Sequence, residues 1–292
     1  MATGAGFASV VFFAMNEREI EVADYVSPSR LADFVINPYV GCPHACRYCY
    51  AADISRVKGR VEIWGDFLDV KRCRKSLGAK RLTGKSVFMS SVTDCYNPAE
   101  ARYKITRRIL EELAPIECRL SITTKSNLLL RDLDLLKART SLFGRPKSLF
   151  DLGEDEDRAI RVSCSINTVD EGFRADMDRA STIEERMETL EVCREAGIPT
   201  LLFAAPLFPY ISDFRAIVER SASFVDVFWF DKLNMRPTFK DDLLTYVRAR
   251  YPEYYRAYLA IFERGDESYW RDLSEEISDF CDRKGVSYEV FF

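Results

Sequence analysis

Phe34-Val-Ile-Asn-Pro-Tyr-Val40-Gly41-Cys42-Pro-His-Ala-Cys46-Arg-Tyr-Cys49-Tyr50 is the stretch on which the reading of the whole chain turns. Residues 34–40 form an apolar run that reads as a short strand ending at Gly41. Three cysteines follow at once, spaced C-x3-C-x2-C, so they occupy a loop leaving the carboxyl end of that strand. Working outward, Val87–Ser90 reads as a second strand and Pro98 opens a helix to about Leu113, with Ile105, Ile109 and Leu113 four apart. Strands over 119–124, 160–166, 200–205 and 225–230 follow. Between them lie helices over Leu128–Lys137, Ile183–Glu195 and 213–222. Ser181 three residues before Glu184 suggests a capping box. Residues 141–158 read as an exposed loop insertion.

Strands separated by helices build parallel sheets. About six βα units precede residue 235, fewer than the eight of a closed barrel. The expected fold is therefore α/β, a partial (β/α)6 TIM-like barrel. It has an N-terminal extension (1–33), a core (34–235) and a helical, aromatic-rich C-terminal extension (236–292). Loops after Val40, Ser90, Thr124 and Ile166 leave from the carboxyl ends of the strands, where ligands of such folds bind.

The 292 residues carry 42 Lys and Arg against 46 Asp and Glu, a formal net charge of -4. That balance excludes coating of nucleic acid through bulk charge but leaves room for a local basic groove. One such run is Arg56, Lys58, Arg60, Lys71, Arg72, Arg74, Lys75, Lys80, Arg81 and Lys85, which could form a wall for a phosphate-bearing substrate. A solvated surface is the commoner origin of such runs. The aromatics Tyr251, Tyr254, Tyr255, Tyr258, Phe262, Tyr269 and Trp270 could stack bases. The first five follow helical spacing, which favours core packing. No stretch approaches the length of apolar residues that spans a bilayer, so no membrane partner is expected; with no signal peptide recognisable, a cytoplasmic location is expected. Residues 1–14 carry no recognisable pattern, which makes Met15 a candidate native start beside Met1.

Three thiolates in one short loop imply that the loop wraps around something. A [4Fe–4S] cluster held by Cys42, Cys46 and Cys49 keeps one iron free of protein ligands, whereas most electron-transfer clusters use four cysteines. That open iron can bind S-adenosylmethionine, whose radical chemistry needs a cluster electron. The rival reading is a zinc-binding structural or interaction protein that adds His44 as fourth ligand. It fits less well because no second Cys or His pair lies nearby. His44 is the only histidine, which disfavours His-based triads.

The stretch Asn37–Ala51 resembles the signature of radical S-adenosylmethionine enzymes, and more narrowly the spore photoproduct lyase-like branch labelled "DNA repair photolyase". Ser90-Ser-Val-Thr-Asp-Cys-Tyr-Asn-Pro-Ala-Glu100, Thr123-Thr-Lys-Ser126, Val162–Thr168 and Gly197-Ile-Pro199…Ala205-Pro206…Pro209 match in order over about residues 34–235. The resemblance implies reductive cleavage of S-adenosylmethionine and hydrogen abstraction by a 5′-deoxyadenosyl radical. The substrate it suggests is a nucleic-acid base or nucleotide. It implies a reductant such as ferredoxin or flavodoxin, and lyase or other radical chemistry.

Residue by residue, the resemblance points to Lys125 and Arg186 for the cofactor carboxylate, Ser165 for the ribose and Tyr48 for the adenine. Ser91, Thr93 and Asp94 would contact cofactor or substrate. Asp94 could instead cap the following helix. Spore photoproduct lyases carry a cysteine hydrogen donor where this chain has Ser91. Cys95, four residues on, is a candidate substitute, with a buried thiol as the alternative. Tyr48 and Tyr50 match a tyrosine pair that relays hydrogen in those enzymes. With the remaining cysteines scattered, no auxiliary cluster is expected.

Overall fold

The computed structural model describes residues 15–143 and 160–292. The chain opens with β1 (Asn16–Glu21), β2 (Val26–Pro28), β3 (Phe34–Ile36) and β4 (Tyr39–Val40). The cysteine loop runs into α1 (Tyr50–Val57), followed by β5 (Phe67–Arg72), α2 (Ala79–Leu82) and β6 (Ser86–Met89). Next come α3 (Glu100–Tyr103), α4 (Ile105–Leu113), β7 (Arg119–Thr124), a 3-10 helix over Asn127–Asp132, and α5 (Leu133–Phe143). After β8 (Ile160–Ser165), α6 (Glu171–Met177) and α7 (Ile183–Glu195), β9 (Thr200–Leu207) and β10 (Val227–Lys232) flank α8 (Phe214–Ser221). The chain closes with α9 (Lys240–Arg250), α10 (Tyr255–Glu263), α11 (Ser268–Lys284) and β11 (Ser287–Val290).

The main sheet has the order β11-β10-β9-β8-β7-β6-β3-β2, and all pairings in it are parallel except β2 with β3. The expected partial barrel is present, and β11 is a seventh parallel strand, in the stretch Val286–Phe292 that also reads as strand-like. A small second sheet, β1-β5-β4, backs the cysteine loop. Alternation along β7 shows how the sheet is used. Leu120 and Ile122 are buried with Ile105, Ile109 and Leu113 of α4, each worth roughly 1.5–3 kcal/mol of burial. Ser121 and Thr123, on the other face, line an interior cavity of about 1090 Å³. Closed barrels fill this space with branched apolar side chains; here it stays hollow, and Ser121, Thr123 and Ser163 share the lining with Leu201, Phe203 and Trp229.

Several local expectations shift. The run 34–40 is two strands, because Pro38 lacks an amide donor and Asn37 turns its side chain to Ser91 and the Val92 N–H. Tyr39 and Val40 leave the main sheet and pair antiparallel with β5. The helix read from Pro98 breaks at Lys104, which adopts φ 52° between α3 and α4. The capping box falls one residue later than read, on Thr182 and Glu185. Helical structure reaches Phe143, and the rest of the 141–158 insertion lies outside the described residues, as do residues 1–14. Among the described residues no helix is long and apolar enough to cross a membrane.

Candidate active site

The cysteine loop is clamped at its base by close backbone approaches. Gly41 has φ +86°, and a Cβ there would lie 2.4 Å from the Phe67 carbonyl oxygen, so only glycine fits. Gly65 (φ +97°) is pressed equally tightly against Ala45 within the loop. The Thr93 hydroxyl donates to the Gly41 carbonyl at 2.6 Å, which links the loop after β6 to the cysteine loop. On the far side, the Arg47 N–H donates to the Met177 carbonyl and the Arg179 N–H to the His44 carbonyl. Cys42, Cys46 and Cys49 are all free thiols, and all three face the barrel cavity.

Burial pushes the three thiols up, so each stays protonated until a metal takes the proton's place. Among the described residues no three Cys, His, Asp or Glu side chains converge closely enough to hold a single ion. A four-iron cluster spreads its thiolates wider than one ion does. Three free cysteines around one cavity end suit a cluster that leaves one iron free of protein ligands.

Two buried carboxylates organise the strand ends beside this loop. Asp94, after β6, accepts from the Thr124 hydroxyl (2.8 Å) and from the N–H groups of Lys125 (2.8 Å) and Tyr96 (2.8 Å). His44 Nε2 stands 3.1 Å away. Burial works to raise this carboxyl, but His44 and the N–H donors hold it below its ordinary value. Its acceptor sites are thus spent joining β6, β7 and the cysteine loop. Rather than capping a helix from Pro98, its carboxylate ties these three segments.

Asp178, following α6, plays the matching part on the other side. Its carboxylate accepts from Arg186 at 2.5 Å and from the Tyr48 hydroxyl at 3.4 Å. The Lys125 ammonium lies 3.9 Å from it, beyond hydrogen-bond reach. That ammonium is buried without a hydrogen-bond partner and sits 5.5 Å over the Tyr48 ring. A buried ammonium that shares Asp178 with Arg186 and makes no hydrogen bond of its own has donors left for an anionic ligand in the cavity. Arg186 is 1% exposed; it also donates to the Ser181 and Ser165 carbonyls and is not among the cavity-lining residues. Tyr48 packs edge-on against Phe208, ring centroids 5.5 Å apart.

Ser91, Thr93, Asp94, Lys125, Ser165, Tyr48 and Tyr50 all line the one cavity with the three cysteines. Tyr50 donates its hydroxyl to the Ser91 carbonyl while the residue is 47% exposed. Cys95 is placed elsewhere: it is wholly buried in the core with Tyr39 and Tyr96, outside the lining. Sequence reasoning missed Asp178, Trp64, Trp229 and Asp231. Nothing local marks Asp178, whose partners come from three separate segments. Trp229 and Asp231 could have been found by alternation along β10, which puts them on the cavity face.

The basic run is largely neutralised. Arg72 pairs with Glu19, Arg74 with Glu21, Lys75 and Arg81 with Asp24, Arg60 with Asp69 and Glu62, and Lys85 with Asp33. Lys71 is turned inward to the Asn37 carbonyl. Strand β1 thus supplies acids to a stretch that reads as basic in isolation. The aromatic C-terminal segment packs on itself: Tyr258 and Trp270 are buried, and Tyr251 stacks on Tyr254.

The model of the radical SAM superfamily matches residues 36–220. An uncharacterized protein of Methanocaldococcus jannaschii is 32% identical over 241 residues, covering 81% of this chain and 84% of its own length. One from Mycobacterium tuberculosis is 25% identical over 266 residues, covering 84% and 72%. Among solved structures, a spore photoproduct lyase double mutant with bound AdoMet and dinucleoside spore photoproduct superposes with a TM-score of 0.54. It is 14% identical and covers 87% of this chain and 72% of that one, a likeness of fold. With family match, fold and cysteine loop in agreement, the chain belongs to the radical S-adenosylmethionine superfamily, whose enzymes use a [4Fe–4S] cluster, S-adenosylmethionine and a reductant.

Proposed function

We propose that this enzyme holds its cluster on Cys42, Cys46 and Cys49 and its substrate in the barrel cavity beneath. The observation that carries the reading is the buried Lys125 ammonium, which makes no hydrogen bond and faces the same cavity as the three free cysteines. When bound, the cluster supplies the electron that cleaves S-adenosylmethionine to methionine and a 5′-deoxyadenosyl radical, which abstracts hydrogen from substrate. Lys125 neutralises the cofactor carboxylate as a point charge. Arg186 acts indirectly, by fixing Asp178, which in turn orients Tyr48 and leaves Lys125 free to turn to the ligand. Ser165 offers a hydroxyl to the ribose. Asp94 and Thr93 position the cysteine loop rather than touch the ligand, since their polar atoms are already engaged.

A nucleobase or nucleotide is the substrate class we favour, supported by the mix of aromatic and polar groups on the cavity wall. The neutralised basic run gives no support to a long nucleic-acid track. For hydrogen relay we assign Tyr50, whose hydroxyl reaches Ser91 at the cavity edge, ahead of the core-facing Cys95. Lyase chemistry, and ferredoxin or flavodoxin as donor, are part of the same proposal.

Anaerobic binding of S-adenosylmethionine to the iron-loaded protein tests the Lys125 assignment. Lys125→Met should weaken it about 10- to 100-fold, the worth of one charge-assisted pair. Unchanged affinity would reject the role.

A further inference from the structure

Two carboxylates line the barrel cavity among the described residues, and they differ in what they have left to offer. Asp94 is spent on Thr124, Tyr96, Lys125 and His44. Asp231, near the carboxyl end of β10, accepts only the backbone N–H of Lys232, at 2.8 Å. No Lys or Arg lies within ion-pair distance of it among the described residues; the neighbouring Lys232 ammonium goes to Glu267 at 2.9 Å. Burial pushes the Asp231 carboxyl up, and Lys232 offsets this only in part.

The position is built by a register change. Phe230 pairs with Ala204 but Lys232 pairs with Leu207, so β9 carries an extra residue opposite Asp231. Irregularities of this kind re-aim a side chain beside a site. Two residues back on the same face, Trp229 meets Phe203 of β9 edge-on at 6.3 Å and Phe291 at 5.3 Å, and the Arg161 guanidinium lies 4.7 Å over the Trp229 ring; all four line the cavity. A carboxylate with open acceptor sites next to an aromatic wall suits a flat ring that presents N–H donors at its edge.

We propose that Asp231 is a specificity-determining residue that reads the donor edge of a planar heterocyclic substrate, accepting from two adjacent N–H groups as on a guanine-type ring. A thymine-type edge, whose single N–H lies between two carbonyl oxygens, would set an acceptor against the carboxylate and be disfavoured. This rests on the reading of the cavity as the substrate site of a radical enzyme.

The test uses iron-loaded protein with S-adenosylmethionine bound, titrated anaerobically with guanosine, inosine and thymidine. Guanosine should bind at least tenfold more tightly than inosine, which lacks the exocyclic amine, and thymidine weakest of all. Loss of a hydrogen bond to a charged group sets that scale. In Asp231→Asn the guanosine preference should collapse, with retained S-adenosylmethionine binding showing that the variant is folded. Equal binding of the three nucleosides, no binding of any, or an unaltered preference in the variant would overturn the proposal. So would a parallel loss of S-adenosylmethionine affinity, which would make Asp231 a cofactor ligand. Formation of 5′-deoxyadenosine by the same preparation separates failure here from failure of the radical-enzyme reading.

Discussion

Single residues set the site through contacts that have no slack. Gly41→Ala places a Cβ 2.4 Å from a backbone oxygen at positive φ, so the cysteine loop must shift. The expected result is loss of most bound iron after reconstitution, read by metal analysis. A cluster loaded normally in this variant would mean that the clamp is softer than its geometry. Asp178 makes a second test. Burial raises its carboxyl, but Lys125 and Arg186 outweigh that and hold it below the unfolded value of about 3.9. A depressed folded value means that its stabilisation is complete above about pH 4 and is lost as pH falls through the folded value. Asp178→Asn should flatten that acid limb in urea denaturation. At pH 7 it should cost about 3–5 kcal/mol, because it strands a buried guanidinium. The cysteines were legible at once because their spacing is local. Asp178 was not, because its importance arises from side chains that meet only after folding.

At the scale of elements, the parallel strands and the helices that cover them followed from apolar period and turn residues. What periodicity cannot carry is a break whose cause lies elsewhere. The strand over 34–40 divides because Pro38 drops out of the ladder and Asn37 is claimed by the loop after β6. The basic stretch from Arg56 to Lys85 reads as a surface for phosphate until β1 folds beside β5 and delivers Glu19 and Glu21. Helix α7 presents Arg186 in its first turn, and its start is fixed by Thr182 and Glu185. Thr182→Ala should lower stability by about 1 kcal/mol in chemical denaturation, the usual worth of a cap. A change above about 3 kcal/mol would mean that the cap also holds the Asp178–Arg186 pair in place.

For the molecule as a whole, the partial barrel is hollow and its sheet ends at the last strand. Strand β11 pairs with β10 over four residues, Phe291 donates its N–H to the Phe230 carbonyl, and Phe292 packs on Trp270. Deleting residues 286–292 should therefore lower the melting temperature and weaken nucleoside binding through loss of the wall behind Trp229. Retained binding with a lower melting temperature would show that β11 serves stability alone. The cavity joins three free thiols, a lysine ammonium that makes no hydrogen bond and a wall of mixed aromatic and polar side chains, an arrangement suited to radical formation at one end and substrate at the other. The most direct measurement is iron, sulfide and 5′-deoxyadenosine in one anaerobic preparation given dithionite and S-adenosylmethionine. About four irons per chain with deoxyadenosine formed, and none from Cys46→Ala, is the expected result. Stoichiometric zinc, no iron and no deoxyadenosine would contradict it.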